Sequence, residues 1–198
     1  MKQEIILSKN VQKKLQAFET LLKKWQKAVN LVSSKSLDSL WNRHILDSAQ
    51  LFSHLPEDAK TLIDMGSGGG FPAVILALMA QDSNRPLQIH LIESDTRKCA
   101  FLNECVRQFQ LSAQVHNCRI ENMSPLPADV ITARALADLK KLLALSAPFW
   151  HQNTCALFLK GAQVKEELAD LSPEWSCHCF PSQTDPSGVI VEIRKENA

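Results

Sequence analysis

The sequence predicts an α/β protein with a doubly wound, mostly parallel sheet. From residue 57 onward, short apolar runs alternate with stretches of helical periodicity, as when crossover helices join parallel strands. The first of these runs ends in the glycine-rich segment 66–70. The last two flank the polar loop 181–188, which predicts an antiparallel hairpin at the C-terminal edge of the sheet.

Residues 1–56 predict an N-terminal helical extension. Over 9–30 the apolar residues recur at steps of four and three, which is typical of an amphipathic helix: Val11, Leu15, Phe18, Leu22, Trp25 and Val29. Residues 30–36 predict a loop, and Ser36 then predicts the N-cap of a second helix that ends before Pro56. We expect this extension to pack on a domain over 57–198 as one compact unit.

The remaining elements follow in order. Strands are predicted at 61–65, 87–92, 114–120, 129–132, 154–159, 175–180 and 189–194. Helices are predicted at 72–81, 96–109, 137–150 and 162–171, with Pro72 in the first turn of the first of them.

Composition narrows the class of protein. Hydrophobic residues make up 45% of the 198 residues and charged residues 22%, which is ordinary for a soluble globular protein. The chain has no apolar run of about 18 residues, and the apolar stretch at its N-terminus is too short for a signal peptide. We therefore expect a cytoplasmic protein without a membrane span.

The six cysteines form no C-x-x-C pair. Cys177 and Cys179, even with His178 between them, are too few for the usual structural zinc sites, so we expect reduced thiols and no metal.

Positive charge is concentrated at the N-terminus. Residues 1–56 hold nine Lys/Arg and four Asp/Glu, a net charge of +5, which leaves −4 for residues 57–198. A basic extension on a mildly acidic domain favours contact with a polyanion. A solvated helix surface explains the same charge equally well.

The glycine-rich segment predicts a ligand site. Glycines allow positive φ and let a ligand approach the backbone, and ligands of such sheets bind at the carboxyl ends of the strands. Gly66, Gly68 and Phe71 follow the first strand, and Glu93 follows the second, 23 positions beyond Gly70. An acid at that point can accept both hydroxyls of a ribose. The alternative for Glu93 is a role at the start of the next helix, which Asp95 could fill as well.

Two further strand ends complete the predicted site. Ile120 and Glu121 are positioned to flank a purine ring. Arg134, at the end of the fourth strand, is a candidate partner for a carboxylate or phosphate, with a plain surface arginine as the alternative.

The ligand class follows from the glycine spacing. No G-K-[ST] follows the glycines, which excludes a P-loop, and the dinucleotide fingerprint survives only in relaxed form from Gly68. The spacing acid-x-Gly-x-Gly-x-Gly, from Asp64 to Gly70, resembles the cofactor loop of class I S-adenosylmethionine-dependent methyltransferases. A nicotinamide-dependent oxidoreductase is the alternative from a different class.

A more specific resemblance covers roughly residues 20–170. It rests on the strings Asn30-Leu31-Val32-Ser33, Arg43-His44-Ile45-Leu46-Asp47-Ser48, Asp64 through Pro72, Glu93-Ser94-Asp95-Thr96-Arg97-Lys98, Phe101-Leu102, Thr132-Ala133-Arg134-Ala135 and Leu159-Lys160-Gly161. Together they resemble the bacterial RsmG (GidB) family, whose members methylate N7 of a guanosine in 16S ribosomal RNA.

The resemblance implies a Rossmann-like class I methyltransferase fold, S-adenosyl-L-methionine as cofactor, and 16S ribosomal RNA or the small subunit as partner of a monomeric enzyme. The family pattern implies cofactor contacts at Gly66, Phe71, Ile120, Glu121 and Arg134. Gly68 and Glu93 are added because of their places in the glycine-rich segment and after the second strand. Two positions depart from the pattern: Ala73 replaces the usual glycine, and Glu93 a common aspartate. The alternatives left open are a class I methyltransferase with another substrate and an RNA-interaction protein without turnover.

Guanine N7 carries an in-plane lone pair, so its methylation requires alignment of the reactants and no general base. Oxygens near the base would stabilise the charge that develops there, and Glu121 and Asp138 are candidates. Arg43, Lys160 and the N-terminal lysines are candidate phosphate contacts. His44 predicts a hydrogen-bonded helix residue that pairs with Asp47 or Ser48.

Overall fold

The structure, a computed structural model, describes residues 5–196. The first four residues, part of the N-terminal stretch considered above, lie outside it. Its centre is a seven-stranded sheet in the order β3-β2-β1-β4-β5-β7-β6. The strands are β1 Thr61–Met65, β2 Gln88–Glu93, β3 Ala113–Asn117, β4 Val130–Arg134, β5 Cys155–Lys160, β6 Trp175–Pro181 and β7 Val189–Lys195.

Strand pairing confirms the predicted topology. β1 pairs in parallel with β2 and β4, β2 with β3, and β4 with β5. β7 runs antiparallel to both β5 and β6, so the predicted C-terminal hairpin closes one edge. The chain moves outward from β1 to β3 and returns at β4, which creates a switch point between the carboxyl ends of β1 and β4.

Helices cover both sides of the sheet. They are α1 Lys9–Gln26, α2 Asp47–Ala49, α3 Ala73–Asp82, α4 Thr96–Phe109, α5 Leu139–Ser146 and α6 Val164–Ala169. Alternate strand residues enter two cores: Leu62 packs with residues of α1, α3 and α4, and Ile63 with residues of α5 and α6. Because α1 covers α3, α3 lies between α1 and the sheet, and its residues from Ala73 to Ala80 are all buried.

The N-terminal extension shares the core of the sheet. Phe18 of α1 lies 5.5 Å from Phe71 and 6.2 Å from Phe101 between ring centroids, and Trp25 lies 5.8 Å from Phe101. The Lys14 ammonium donates to the Gln81 side chain over 2.7 Å. The extension therefore joins α3 and α4 in one hydrophobic cluster.

Four predicted elements are shorter in the structure. The helices predicted at 137–150 and 162–171 are α5 Leu139–Ser146 and α6 Val164–Ala169. α1 ends at Gln26 because the Gln26 carboxamide accepts hydrogen bonds from the backbone N–H groups of Leu31 and Val32 and turns the chain there. β3 ends at Asn117, and Ile120 belongs to a short 3₁₀ turn, Ile120–Asn122.

The predicted second helix is irregular. A 3₁₀ turn, Ser34–Ser36, precedes a π-helical segment, Trp41–Leu46, which continues through α2 into a 3₁₀ turn, Gln50–His54. The N-cap prediction for Ser36 is wrong, because its hydroxyl donates to the Ser33 carbonyl oxygen instead of accepting from the next turn. Such bonds to the chain's own backbone compete with a regular helix.

Three further expectations concern membrane spans, metal sites and cysteines. No helix within residues 5–196 has the length and apolarity to cross a bilayer. Within the same range, no three His, Cys, Asp or Glu side chains gather in a group that could hold a metal ion. All six cysteines are free thiols.

Candidate functional site

A cavity of about 500 Å³ opens at the carboxyl ends of β1, β2 and β4, beside the switch point. All seven candidate cofactor contacts line it: Gly66, Gly68, Phe71, Glu93, Ile120, Glu121 and Arg134. Sequence reasoning missed Leu31 and Val32 from the N-terminal extension, and Leu136 after β4. Their apolar side chains give no local pattern that separates a cavity wall from ordinary core.

The glycine-rich loop forms one wall of this cavity. Gly66 and Gly68 have φ values of +70° and +53°, in the region that favours glycine. The N–H groups of Gly66 and Ser67 donate to the Ile92 carbonyl oxygen over 2.9 and 3.0 Å. The end of β2 therefore positions the loop that follows β1.

Glu93 joins that loop to the segment after β2. Its side chain is buried, one carboxylate oxygen accepts from the Gly68 N–H at 2.9 Å, and the other accepts from the Asp95 N–H at 2.8 Å. Asp95, and not Glu93, is the N-cap of α4. Its carboxylate accepts from the N–H groups of Arg97 and Lys98. Glu93 is thus left as a carboxylate on the cavity wall.

Asp64 lies fully buried beneath the loop. One of its carboxylate oxygens accepts from the Thr132 hydroxyl at 2.7 Å, and the other has no hydrogen-bond partner among the described residues. Burial, which disfavours the charged form, raises the pKa of Asp64 to about 7.

Ile120 and Glu121 sit at the opposite wall, on the 3₁₀ turn that follows β3. Ile120 is buried and supplies an apolar surface, whereas the Glu121 side chain is exposed. The pair thus places an apolar side chain next to a carboxylate, and the predicted contact with a purine stays a prediction.

Arg134, the last residue of β4, reaches across to the N-terminal extension. Its guanidinium donates to the Asp47 carboxylate at 3.2 Å, to His44 Nδ1 at 2.6 Å and to the Arg43 carbonyl oxygen at 2.6 Å. The carboxylate partner expected for Arg134 is thus supplied by the chain itself, while its side chain still lines the cavity.

His44 is hydrogen-bonded and contacts Ser48, but the partner of its side chain is Arg134. The Ser48 hydroxyl bonds to the His44 backbone oxygen, and the imidazole instead accepts from Arg134. Because a guanidinium only donates, Nδ1 must be unprotonated. Burial, and then the charges of Arg134 and Arg43, lower the pKa of His44 to about 4 and keep it neutral near pH 7.

Asp47 ties three parts of the chain together. Beside Arg134, its carboxylate accepts from the side chains of Gln50 at 2.8 Å, Thr184 at 2.8 Å and Ser182 at 3.3 Å. The irregular helical segment 41–54, the end of β4 and the loop between β6 and β7 therefore meet at one buried carboxylate.

A second cavity, of about 710 Å³, adjoins the first at the ends of β4 and β5. His44, Arg134 and Ala135 line both cavities and form their common wall. Ala135 has a φ of +51°, a conformation that side chains other than glycine rarely adopt.

The structure does not support two of the predicted contacts. Lys160 lines the second cavity, but its ammonium already pairs with Glu167 and donates to the Ala137 carbonyl oxygen, at 2.7 and 2.8 Å. Asp138 is the N-cap of α5, where its carboxylate accepts from the Lys141 N–H, and it lines neither cavity. Both side chains are occupied by local structure that sequence spacing did not reveal.

Comparison with known proteins identifies the family. A family model described as GidB, rRNA small subunit methyltransferase G, matches residues 11–189. The ribosomal RNA small subunit methyltransferase G of Rhodospirillum centenum is 44% identical over 189 residues, which span 94% of this chain and 85% of the relative. That of Cereibacter sphaeroides is 43% identical over 193 residues, which span 96% and 94%.

The chain belongs to this family.

Solved structures confirm the fold. The SAH-bound Podospora anserina methyltransferase PaMTH1 has a TM-score of 0.61 at 11% identity, with 100% of both chains covered. The putative methyltransferase yhhF from Escherichia coli has a TM-score of 0.56 at 16% identity, with 83% of this chain and 89% of that chain covered. Family membership also decides against the nicotinamide-dependent oxidoreductase.

Proposed function

We propose that this chain transfers the methyl group of S-adenosyl-L-methionine to N7 of a guanosine in 16S ribosomal RNA. The observation that carries this conclusion is the family match over residues 11–189. The cavity lined by all seven candidate cofactor contacts supports it.

The residues of the first cavity fit the cofactor. Gly66 and Gly68 present backbone without a Cβ, and each Glu93 oxygen keeps a lone pair for a ribose hydroxyl beside the N–H it already accepts. Phe71 and Ile120 supply apolar walls, and Glu121 a polar edge. Arg134 uses three of its five N–H groups within the chain, which leaves two for a ligand carboxylate.

When bound, the cofactor would supply a sulfonium methyl carbon, to which the N7 lone pair would bond as the carbon–sulfur bond breaks. Since no proton leaves N7, the protein needs no general base for this step. The residues of the chain would hold the two reactants in contact, aligned for reaction, and exclude water. Such alignment lowers the activation barrier because the reactants no longer have to find each other in solution. The common wall of His44, Arg134 and Ala135 is where a base in the second cavity would meet the first.

Further proposals follow from that function. The chain acts in the cytoplasm as a monomer, as the family resemblance implies. Residues 1–56 and 57–198 fold as one unit, which their shared core and the Arg134–Asp47 pair support.

Labelled methyl transfer to 16S ribosomal RNA from a strain that lacks the modification tests the function. We expect label on the RNA, at a guanosine that borohydride and aniline then cleave as N7-methylated. Label on protein or small molecules alone would favour a class I methyltransferase with another substrate. Tight S-adenosylhomocysteine binding without transfer would favour an RNA-interaction protein.

A further inference from the structure

The second cavity contains a carboxylate with unused acceptor capacity. Glu167 of α6 lines this cavity, and its side chain is 17% exposed. Its Oε2 atom accepts from Lys160 Nζ and from the Leu139 N–H, both at 2.7 Å. Its Oε1 atom accepts no hydrogen bond from any residue in 5–196. The carboxylate is therefore held in place through one oxygen and leaves the other for a ligand.

The other acids of this cavity are already engaged. The Asp47 carboxylate accepts from Arg134, Gln50, Ser182 and Thr184. One Asp185 oxygen accepts from both the N–H and the hydroxyl of Ser187, within the turn between β6 and β7. Among residues 5–196, Asp185 also keeps one oxygen free, but only Ser187 of its own turn holds the other, whereas Glu167 is held by groups from β5 and α5. Glu167 is thus the acid with an open oxygen that other elements hold in place.

We propose that the second cavity holds the target guanine and that Glu167 Oε1 accepts from its N1–H and N2–H groups. This inference rests on the proposed function and adds a specificity-determining residue to it. The volume, about 710 Å³, lies within the range of about 300–1,000 Å³ that small ligands occupy. A base must leave its stack to enter such a pocket, as nucleobase methyltransferases require.

The edges of the base fit this arrangement. Guanine carries N1–H and the 2-amino group on one edge and N7 on the opposite side of the purine. With the first edge at Glu167, N7 is directed away from that acid. The proposal places N7 at the wall shared with the first cavity, which His44, Arg134 and Ala135 form. Adenine would present an unprotonated N1 to the carboxylate and be repelled.

The charge balance of the reaction also favours an acid at this point. The N7 lone pair forms the new bond to carbon, the carbon–sulfur bond breaks, and sulfur keeps its electron pair. The positive charge thereby moves from sulfonium to purine, and no proton is released. A carboxylate bonded to N1–H interacts more strongly with the cationic product than with neutral guanine, so it stabilises the transition state.

The test compares Glu167→Gln with wild type on a small-subunit RNA. The modified position is mapped first, and RNA with guanosine or inosine there is then methylated. Inosine keeps N1–H and lacks the 2-amino group. We expect wild type to lose about tenfold in kcat/KM on inosine, and the variant to lose most of that preference. On guanosine the variant should lose about 10- to 100-fold in kcat/KM, with the affinity for S-adenosylhomocysteine unchanged.

Controls separate the outcomes. Glu166→Gln removes the neighbouring charge, which is exposed and lines neither cavity, and should retain the wild-type preference. A preference that survives in Glu167→Gln, or collapses in Asp185→Asn instead, overturns the assignment of Glu167. If Glu167→Gln does not fold, equal wild-type rates on guanosine and inosine would also overturn it. Wild type without N7 transfer to ribosomal RNA would instead overturn the proposed function.

Discussion

At the scale of single residues, the site depends on a few backbone groups held by buried acids. Glu93 fixes the Gly68 N–H, and the positive φ at Gly66 and Gly68 keeps the loop in a shape that a side chain would oppose. Asp64 lies beneath the loop with one unpaired oxygen. A substitution at Gly68 therefore tests ligand binding, and a substitution at Asp64 tests stability.

We predict that Gly68→Val abolishes cofactor binding and leaves the fold largely intact. Inside the protein a Cβ at Gly68 would meet only the Gly66 oxygen, at 3.8 Å, so packing is not the obstacle. The obstacles are the φ of +53°, which costs a side chain about 1–2 kcal/mol, and the approach of the ligand. Titration with S-adenosylhomocysteine should show at least a tenfold loss, with Tm lower by no more than about 8 °C.

Gly161→Ala is the matched control, since a Cβ there meets nothing within 4 Å. It should bind S-adenosylhomocysteine as wild type does. Undiminished affinity in Gly68→Val would remove the loop from the cofactor site.

Asp64 predicts a pH dependence of stability. The folded pKa is about 7, against a reference value of 3.8, so between these values the folded protein retains a proton that the unfolded chain has released. The free energy of unfolding therefore decreases as pH rises from about 4 to about 7, at up to about 1.4 kcal/mol per pKa unit.

Asp64→Asn should remove this contribution. Urea unfolding of both proteins at pH 5 and pH 8 measures it, and the decline between the two should be smaller in the variant. Parallel declines would show that Asp64 titrates normally in the folded protein.

At the scale of elements, the irregular helical segment 41–54 is held against the end of β4 by side chains rather than by its own regularity. Arg134 donates to Asp47, His44 and the Arg43 oxygen, and Asp47 extends the network to the loop between β6 and β7. π-Helical turns are often found at functional sites, and this one brings His44 to the wall between the two cavities.

We predict that Arg134→Lys loosens this segment. A single ammonium on a shorter, flexible side chain cannot reproduce three directed bonds from a planar guanidinium. Amide hydrogen exchange should become faster across 41–54, and affinity for S-adenosylhomocysteine should fall by about tenfold. Arg97→Lys, which alters an exposed pair with Asp95, is the control and should change neither. Unchanged exchange would mean that core packing alone holds the segment.

At the scale of the whole molecule, the C-terminal end of α1 carries a group of lysines close in sequence to the wall of the first cavity. The exposed lysines Lys23, Lys24 and Lys27 lie at the C-terminal end of α1, a few residues before Leu31 and Val32 on the cavity wall. Lys9 and Lys13 lie at the other end of an 18-residue helix that is about 27 Å long. We therefore expect the C-terminal end of α1 to contact RNA that enters the site.

We predict that alanine at Lys23, Lys24 and Lys27 weakens RNA binding and reduces the salt dependence of log K by about 2, at roughly 0.7 per phosphate contact. Binding to 16S ribosomal RNA across a salt series measures this slope. Alanine at Lys9 and Lys13 is the control and should alter the slope less. An unaltered slope in the first variant would identify those lysines as a solvated helix surface.

Most of the fold could be predicted from sequence. The strand order along the chain, α4 at Thr96–Phe109 and the C-terminal hairpin all follow from local periodicity and turn residues. The second helix could not be predicted, because its apolar stripe is compatible with a regular helix, while the side chains of Ser36 and Ser48 bond to the backbone instead.

The sequence by itself determined the order of elements, the glycine-rich loop, the acid after β2 and the family resemblance, since each is a property of neighbours along the chain. Only the tertiary structure decided that Arg134 pairs with Asp47, 87 positions away, that Leu31 and Val32 close the first cavity, and that Glu167 faces a second one. The physical reason is that these contacts arise when distant segments pack together, and local periodicity records which face of an element is buried but not which element buries it.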